Sequence, residues 1–266
     1  MLRVLVLTAL SLLMAAPAFA EGSGGAGGSL GERANWPCQG CNVVTPPGYE
    51  HGQPTKLLVT LHGDEGDPDY IQWKLETPAR NAGYLMLNLQ CPRDLGCGAY
   101  EGSWWRWEAY SNQHDIEWLG RQVDAMEAEY NVDLNRIYLA GFSGGSSYLS
   151  EYPWIYTMRY AGLVYFAGGY NPGRYGYSCS DAVCKIPAYF LIGTEDFLLP
   201  GAGQIRDYLT GCGHEVEWNL VQGEEHGIID REVPSVFAFL DARPHLCRGD
   251  PDPDPEPDPD PEPDPD

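Results

Sequence analysis

Three polar side chains of this sequence, Ser143, Asp196 and His226, are of the types that carry out nucleophilic chemistry at a carbonyl group. A serine hydroxyl is a weak nucleophile until a base removes its proton, and a histidine oriented by a carboxylate can act as that base. Ser143 lies in the segment GFSGG, residues 141–145, after an apolar run and before a helix-like run. A strand that enters a tight turn there and leaves as a helix would hold the serine oxygen where a substrate carbonyl could reach it.

The G-x-S-x-G spacing is weak support by itself, because it occurs a second time at residues 27–31. The second copy lies in a glycine-rich stretch with no strand pattern before it and no helix pattern after it, so we interpret Ser29 as part of a linker. The hypothesis for Ser143 therefore depends on the elements around it.

Short apolar runs rich in Val, Ile, Leu and Tyr predict six strands. They cover residues 56–61, 84–89, 136–140, 162–166, 188–192 and 216–221. Helical patterns cover residues 69–81, 115–130, 145–158, 203–210 and 233–240. Pro78 and Pro153 are expected to bend or end the helices that contain them. Strands alternating with helices predict an α/β fold in which a doubly wound, mainly parallel sheet carries helices on both faces.

Ligands of such sheets bind beyond the carboxyl ends of the strands, so polar residues directly after a strand are the candidates for function. Ser143, the adjacent pair Glu195 and Asp196, and His226 all hold such positions. His62 does too, but it belongs to a His-Gly turn, where the usual role is to shape the loop. We therefore take His226 as the general base, a role that suits imidazole near neutral pH. The remaining histidines precede the nucleophile strand, precede their own strand or follow the last helix: His51, His114, His214 and His245.

The two ends of the chain differ in composition from the middle. Residues 1–20 contain one basic residue, an apolar run and an A-x-A sequence ending at Ala20, so they predict a secretory signal peptide and an extracellular or periplasmic protein. Residues 21–34 are predicted to be a glycine-rich linker. Residues 249–266 are rich in proline and acid and are expected to be disordered, either as a spacer or as a solubilising end. Residues 35–248 are left as a single domain with a substantial core.

The charge balance excludes two classes of partner. The chain has 16 basic and 38 acidic residues and a formal net charge of −22, which argues against binding to nucleic acids and anionic membranes. No apolar run after the signal peptide approaches the ~18 residues that a membrane span needs. The mature protein is therefore expected to be soluble.

Eight cysteines in an exported chain predict up to four disulfides. Spacing favours three pairs: Cys91 with Cys97, Cys179 with Cys184, and Cys212 with Cys247. Cys38 and Cys41 pair either with each other or with cysteines elsewhere. No second closely spaced Cys or His pair completes a tetrahedral set, so no metal site is predicted.

Four segments between residues 55 and 240 carry a family resemblance: LLVTLHG, EYNVDLNRIYLAGFSGGSSY, LIGTEDFLLP and GHEVEWNLVQGEEHG. They resemble the α/β-hydrolases, and within them the secreted group that includes polyhydroxybutyrate depolymerases and feruloyl esterases. That fold carries its nucleophile, acid and histidine in this chain order. The resemblance implies an α/β-hydrolase catalytic domain with Ser143 as nucleophile, Asp196 as acid and His226 as base. Glu195 would then be a surface residue.

The resemblance also implies an activity and a substrate class. The protein would be a secreted serine esterase, like a polyhydroxybutyrate depolymerase or a feruloyl or acetyl xylan esterase, that cleaves polymeric esters through an acyl-enzyme and needs no cofactor. The backbone N–H groups of Gly144 and Asp64 would form the oxyanion hole. A cluster of Trp104, Trp105 and Trp107 would stack on the substrate, or else pack its loop against the sheet.

Two alternatives use the same fold. One is a non-catalytic carbohydrate- or polymer-binding protein, which an intact set of three reacting side chains disfavours. The other is a serine peptidase, which is disfavoured because the sequence contains no recognisable propeller or cap domain.

Overall fold

The computed structural model describes residues 21–93, 97, 112–151, 158–171, 178–182, 184–245 and 247. Several predictions fall outside the described residues: the signal peptide at residues 1–20, the tail at residues 249–266, Pro153, and Trp104, Trp105 and Trp107. Within the described ranges, no helix combines the length and the apolar character needed to cross a membrane.

In the described part of the chain, eight strands form one sheet in the order β1-β2-β4-β3-β5-β6-β7-β8. They are β1 Glu32–Ala34, β2 Asn42–Val44, β3 Thr55–Leu61, β4 Tyr84–Leu89, β5 Val132–Phe142, β6 Gly162–Phe166, β7 Ala188–Gly193 and β8 Val216–Val221. Strands β3 to β8 are parallel, and β1 and β2 add an antiparallel edge beside β4. The predicted mainly parallel sheet is confirmed. The two edge strands were not predicted, since three residues are too few for a recognisable pattern.

Among the described residues, five α-helices cover both faces of the sheet, as the sequence predicts. They are α1 Pro68–Asn81, α2 Asn112–Glu129, α3 Gly144–Glu151, α4 Leu199–Gly211 and α5 Val233–Asp241, the last preceded by a 3-10 turn at Asp230–Glu232. Helices α2, α3 and α4 share one hydrophobic core with the sheet, and α1 and α5 share the other. Leu57 and Val59 of β3 enter the first core and Leu58 enters the second. Strands buried on both faces explain why the predicted runs are apolar without alternation.

Pro78 does not end its helix early: α1 continues to Asn81. A proline removes one hydrogen bond from a helix interior, and tertiary packing can offset that cost. Ile71, Leu75 and Ala79 of α1 are fully buried against the sheet, which provides that packing.

Residues 21–34 are not a free linker. Ser23 N–H donates to the carbonyl of Val132 at 2.9 Å, Gly28 N–H donates to that of Glu129 at 2.8 Å, and β1 ends the segment. A Cβ on Gly25 would lie 2.6 Å from the Tyr130 backbone nitrogen. The glycines therefore permit close packing at the amino end of β5, whereas the sequence suggested chain flexibility.

Four disulfides are present among the described residues, and two of the predicted pairings are wrong. Cys38–Cys41 and Cys91–Cys97 close short loops. The other four cysteines pair as Cys179–Cys212 and Cys184–Cys247, with Cα atoms 5.0 and 6.0 Å apart. Cys179 and Cys184 both precede β7, where the end of α4 and the chain after α5 also arrive. The bridges therefore join separate segments, and spacing along the chain could not reveal this.

Candidate active site

Ser143 occupies a sharp turn between β5 and α3. Its φ of 51° lies in the left-handed region, which costs a non-glycine residue on the order of 1 kcal/mol or more. The turn is fixed at both sides, because Ser143 N–H donates to the carbonyl of Phe166 and Ser147 N–H donates to the carbonyl of Ser143, each at 3.0 Å. The side chain of Ser143 is thereby held at the carboxyl edge of the sheet.

The glycines on either side of Ser143 allow α3 to approach the sheet. A Cβ on Gly141 would lie 2.5 Å from the Ser146 backbone nitrogen, and a Cβ on Gly145 would lie 2.7 Å from the carbonyl oxygen of His62. These atoms belong to the backbone and cannot turn away. The sequence GFSGG thus serves a strand-to-helix turn, as the fold prediction required.

His226 lies on the loop after β8 and contacts Ser143 directly. Its Nε2 is 3.0 Å from the Ser143 Oγ, and its Nδ1 is 3.0 Å from both carboxylate oxygens of Asp196. An Nδ1–H that donates to the carboxylate leaves Nε2 free to accept the hydroxyl proton. The structure therefore brings the predicted serine, histidine and acid into one hydrogen-bonded chain.

Asp196, and not its neighbour Glu195, faces the histidine. Asp196 is only 4% exposed and accepts a further hydrogen bond from the Leu198 N–H at 2.8 Å, whereas Glu195 is exposed. The loops that carry Asp196 and His226 are joined by their backbones, because Glu195 N–H donates to the carbonyl of Glu224 at 3.0 Å. A Cβ on Gly193 would lie 2.5 Å from the Glu224 carbonyl carbon, so the close approach of the two loops requires glycine there.

The two predicted oxyanion residues lie side by side next to Ser143. A Cβ on Gly144 would lie 2.9 Å from the backbone nitrogen of Asp64, and one on Gly63 would lie 3.3 Å from the Cβ of Ser143. The turn after β3 is closed by the Gly66 N–H, which donates to the Gly63 carbonyl at 3.2 Å. The structure thus brings Gly144 and Asp64 together, and their role as donors stays a prediction.

His62 braces the loop that carries Asp64. Its buried Nε2 accepts hydrogen bonds from the Cys91 N–H and the Gln90 side chain, each at 3.1 Å, so the proton lies on Nδ1, which donates to the Gly63 carbonyl at 2.7 Å. Burial lowers the pKa of His62 to about 4, which keeps the ring neutral. These contacts fit the structural role that the sequence suggested.

Three other histidines lie away from the site. His51 contacts the Tyr49 hydroxyl, His214 contacts the Ile186 carbonyl ahead of β7, and the His245 N–H donates to the carbonyl of Asn135. The side chain of His114 lies outside the described residues. Among the described residues, no group of three His, Cys, Asp or Glu side chains could hold a metal ion.

Similar folds occur among solved esterase structures. Esterase PE8 matches 75% of this chain and 96% of its own with a TM-score of 0.58 and 17% identity. A Bacillus cereus carboxylesterase matches 75% of this chain and 93% of its own, with a TM-score of 0.55 and 19% identity. A feruloyl esterase module from Clostridium thermocellum, in complex with sinapinate, matches 75% of this chain and 81% of its own, with a TM-score of 0.55 and 13% identity. The chain has the α/β-hydrolase fold.

Sequence comparison finds a curated relative and no family match. No model of a known protein family matches the chain. The bifunctional acetylxylan esterase/xylanase XynS20E of Neocallimastix patriciarum is 30% identical over 162 residues, which are 59% of this chain. The match spans 21% of that relative, so this chain covers about a fifth of its length.

Aromatic residues around the site were missed by the sequence analysis. On this α/β-hydrolase fold, Phe197 follows the acid, is 71% exposed and lies with its ring centroid 4.5 Å from that of His226. Tyr70 of α1 accepts a hydrogen bond from the Ile228 N–H at 3.3 Å, and its ring is 4.9 Å from that of Phe142. Phe197 stood beside Asp196 in the sequence, where it was available as a signal. No feature of the sequence indicated Tyr70, because it lies 156 positions before His226.

Proposed function

We propose that the protein is a secreted carboxylic ester hydrolase that uses Ser143, His226 and Asp196 as a catalytic triad. The observation that carries the proposal is the unbroken hydrogen-bonded chain from the Ser143 hydroxyl through His226 to the buried carboxylate of Asp196. The fold and the esterase names of its structural neighbours and curated relative support it. The four disulfides fit an oxidising, extracellular setting.

The geometry supports a two-step mechanism. In the first step Ser143 Oγ attacks the ester carbonyl, and His226 Nε2 takes the hydroxyl proton and then passes it to the departing alcohol. The carboxylate of Asp196 stabilises the imidazolium without taking its proton. In the second step His226 removes a proton from water, the hydroxide attacks the acyl-enzyme, and the proton returns to Ser143 as the carboxylic acid leaves.

The negative charge that develops on the carbonyl oxygen requires fixed donors. We assign this role to the backbone N–H groups of Gly144, which directly follows Ser143, and of Asp64, which the turn after β3 holds beside Gly144. One such donor is commonly worth roughly 100- to 1000-fold in rate. His62 contributes indirectly by bracing that turn with a neutral ring.

We propose an acylated plant polysaccharide as the substrate. The relative that matches over 162 residues is named as an acetylxylan esterase, and a structural neighbour is a feruloyl esterase. A net charge of −22 disfavours anionic polymers, and acetylated or feruloylated xylan main chains carry little charge. A polyester such as polyhydroxybutyrate is the alternative that the assay must separate.

The test compares the mature domain with two serine variants on nitrophenyl acetate, methyl ferulate, acetylated xylan and polyhydroxybutyrate. Ser143→Ala is expected to lower kcat by about 10⁴-fold or more, since the members of a triad act as a unit. Ser29→Ala is the matched control, because it removes the serine of the other G-x-S-x-G and is expected to keep wild-type rates. Binding of polymer without hydrolysis of any ester would overturn the proposal, and so would an active Ser143→Ala.

A further inference from the structure

Five rings in sequential contact pass through the candidate site, and we call them the aromatic row. In order they are Trp73, Tyr70, Phe142, His226 and Phe197. The successive ring centroids are 6.3, 4.9, 5.3 and 4.5 Å apart. The imidazole that contacts Ser143 therefore lies within a chain of aromatic contacts, with Phe142 on one side and Phe197 on the other.

The two ends of the aromatic row are open to water. Trp73 is 72% exposed and Phe197 is 71% exposed. Among the described residues, the other exposed large apolar side chains are aliphatic: Leu30, Met158 and Leu220. A large apolar surface that stays in water beside a reactive group is typical of a ligand-binding surface. Both exposed aromatic side chains of the described chain lie in this one row.

Lys74 connects Trp73 with the end of the histidine loop, the segment 222–229 that carries His226. Lys74 Nζ lies 4.5 Å from the centroid of the Trp73 ring and forms an ion pair with Asp230, at 2.8 and 3.0 Å from the two carboxylate oxygens. Asp230 lies four residues after His226 and begins the turn before α5. Trp73 is thus positioned relative to His226 before any ligand binds, which lowers the entropic cost of binding.

We propose that the aromatic row binds the main chain of a neutral polysaccharide and that Trp73 stacks on a sugar ring away from the scissile ester. The proposal rests on the esterase function proposed above and adds a polymer-binding surface to it. Sugar rings pack their C–H faces on aromatic rings while their hydroxyl groups stay hydrated, which suits a ring as exposed as Trp73.

The surroundings of Trp73 favour a polysaccharide over a polyester. Lys74 and Asp230 beside the ring can exchange hydrogen bonds with sugar hydroxyl groups, and the Asp230 side chain is 68% exposed. A polyester main chain has no hydroxyl donors for the Asp230 carboxylate. The strongly negative charge of the protein further disfavours acidic polysaccharides.

The experiment measures kcat/KM for acetylated xylan and for nitrophenyl acetate with the wild type, Trp73→Ala, Trp73→Phe and Leu30→Ala. We expect Trp73→Ala to lower the ratio of the polymer value to the small-ester value about fivefold to tenfold, chiefly through KM, because one aromatic stacking contact is lost. Trp73→Phe should restore part of the ratio, since it keeps a ring. Leu30→Ala is the matched control, because Leu30 is similarly exposed but lies near β1, away from the site.

Each outcome separates this proposal from the esterase proposal. If nitrophenyl acetate is hydrolysed in a Ser143-dependent way but Trp73→Ala keeps the wild-type ratio, the binding surface is wrong and the esterase proposal stands. The same variants are also assayed on polyhydroxybutyrate films, and a rate that Trp73→Ala lowers there but not on acetylated xylan would contradict a polysaccharide ligand and indicate a polyester. If the wild type hydrolyses no ester, both proposals fail.

Discussion

Residues 27–31 and residues 141–145 share the G-x-S-x-G spacing but use their glycines differently. In the first segment a Cβ on Gly28 would lie 2.5 Å from Cδ1 of the Tyr130 ring, and Ser29 is an exposed residue whose carbonyl accepts a hydrogen bond from the Tyr130 hydroxyl. In the second segment the glycines let a helix leave a strand directly after Ser143. The first segment therefore packs against Tyr130 at the amino end of β5, and the second holds a serine at the carboxyl edge of the sheet. The position of a serine at a strand exit, more than the spacing, separates the two.

After Ser143→Ala, the next largest predicted effect is the loss of the Asp196 carboxylate at the carboxyl edge of the sheet. Asp196→Asn is expected to lower kcat by about 10⁴-fold, because an amide does not hold the His226 tautomer that accepts the serine proton. Steady-state kinetics on nitrophenyl acetate would measure this. Glu195→Gln is the matched control and should keep the wild-type rate, since Glu195 is exposed. Equal losses in both variants would contradict the assignment of the acid.

Alanine in place of one glycine from each segment tests the two uses of glycine. Gly145→Ala places a methyl group against the His62 carbonyl, so the turn must shift, and a displacement of about 1 Å can cost 10²-fold in rate. Gly28→Ala is expected to cost roughly 1–3 kcal/mol of unfolding free energy through overpacking against Tyr130, with a wild-type rate for the folded fraction. Thermal melts and kinetics together separate the two effects.

Gly203→Ala is the control for Gly145→Ala and Gly28→Ala. Gly203 of α4 has no atom within 4 Å of its ideal Cβ position, so Gly203→Ala should be neutral or slightly stabilising in thermal melts. A full rate in Gly145→Ala would show that the turn tolerates a side chain and would contradict the account of residues 141–145.

The pH dependence of stability tests whether His62 is buried and neutral in the folded protein. In the folded state burial lowers the pKa of His62 to about 4, while in the unfolded chain the pKa of a histidine is near 6.5. Between pH 6.5 and pH 4 the unfolded state therefore binds more protons than the folded state. The free energy of unfolding falls as the pH is lowered through this range. Urea unfolding at pH 7 and pH 4.5 should give a loss about 2 kcal/mol larger in the wild type than in His62→Gln. Equal losses would contradict a neutral, buried His62.

The smallest predicted loss of kcat comes from removing one tyrosine hydroxyl near the carboxyl edge of the sheet. A tyrosine hydroxyl near the amino edge gives the comparison. Tyr70→Phe removes the acceptor of the Ile228 N–H on the histidine loop and is expected to lower kcat about two- to fivefold, in keeping with one neutral hydrogen bond. Tyr84→Phe removes a hydrogen bond to Asp241 near the start of β4 and should lower stability without changing kcat. Equal effects of the two variants on kcat would argue that Tyr70 does not position the histidine loop.

Features that depend on local sequence could be predicted, and features that depend on contacts between distant segments could not. Strands β3 to β7 were recognisable because each is largely a buried apolar run, and β8 was recognisable from its alternating apolar and polar residues. The rule that ligands bind beyond strand ends then selected Ser143, the pair Glu195 and Asp196, and His226, and the family resemblance favoured Asp196 over Glu195. The pairing of Cys184 with Cys247 and the contact of Tyr70 with the histidine loop both require the folded arrangement. The linker assignment of residues 21–34 failed because glycine permits close packing as well as flexibility.

Covalent labelling with a fluorophosphonate tests most directly whether residues 141–145 build a reactive serine and residues 27–31 do not. Peptide mapping by mass spectrometry of the labelled wild type, Ser143→Ala and Ser29→Ala would locate the adduct. We predict one adduct on Ser143 in the wild type and in Ser29→Ala, and none in Ser143→Ala. An adduct on Ser29, or an unlabelled Ser143 in a folded wild-type protein, would contradict the account.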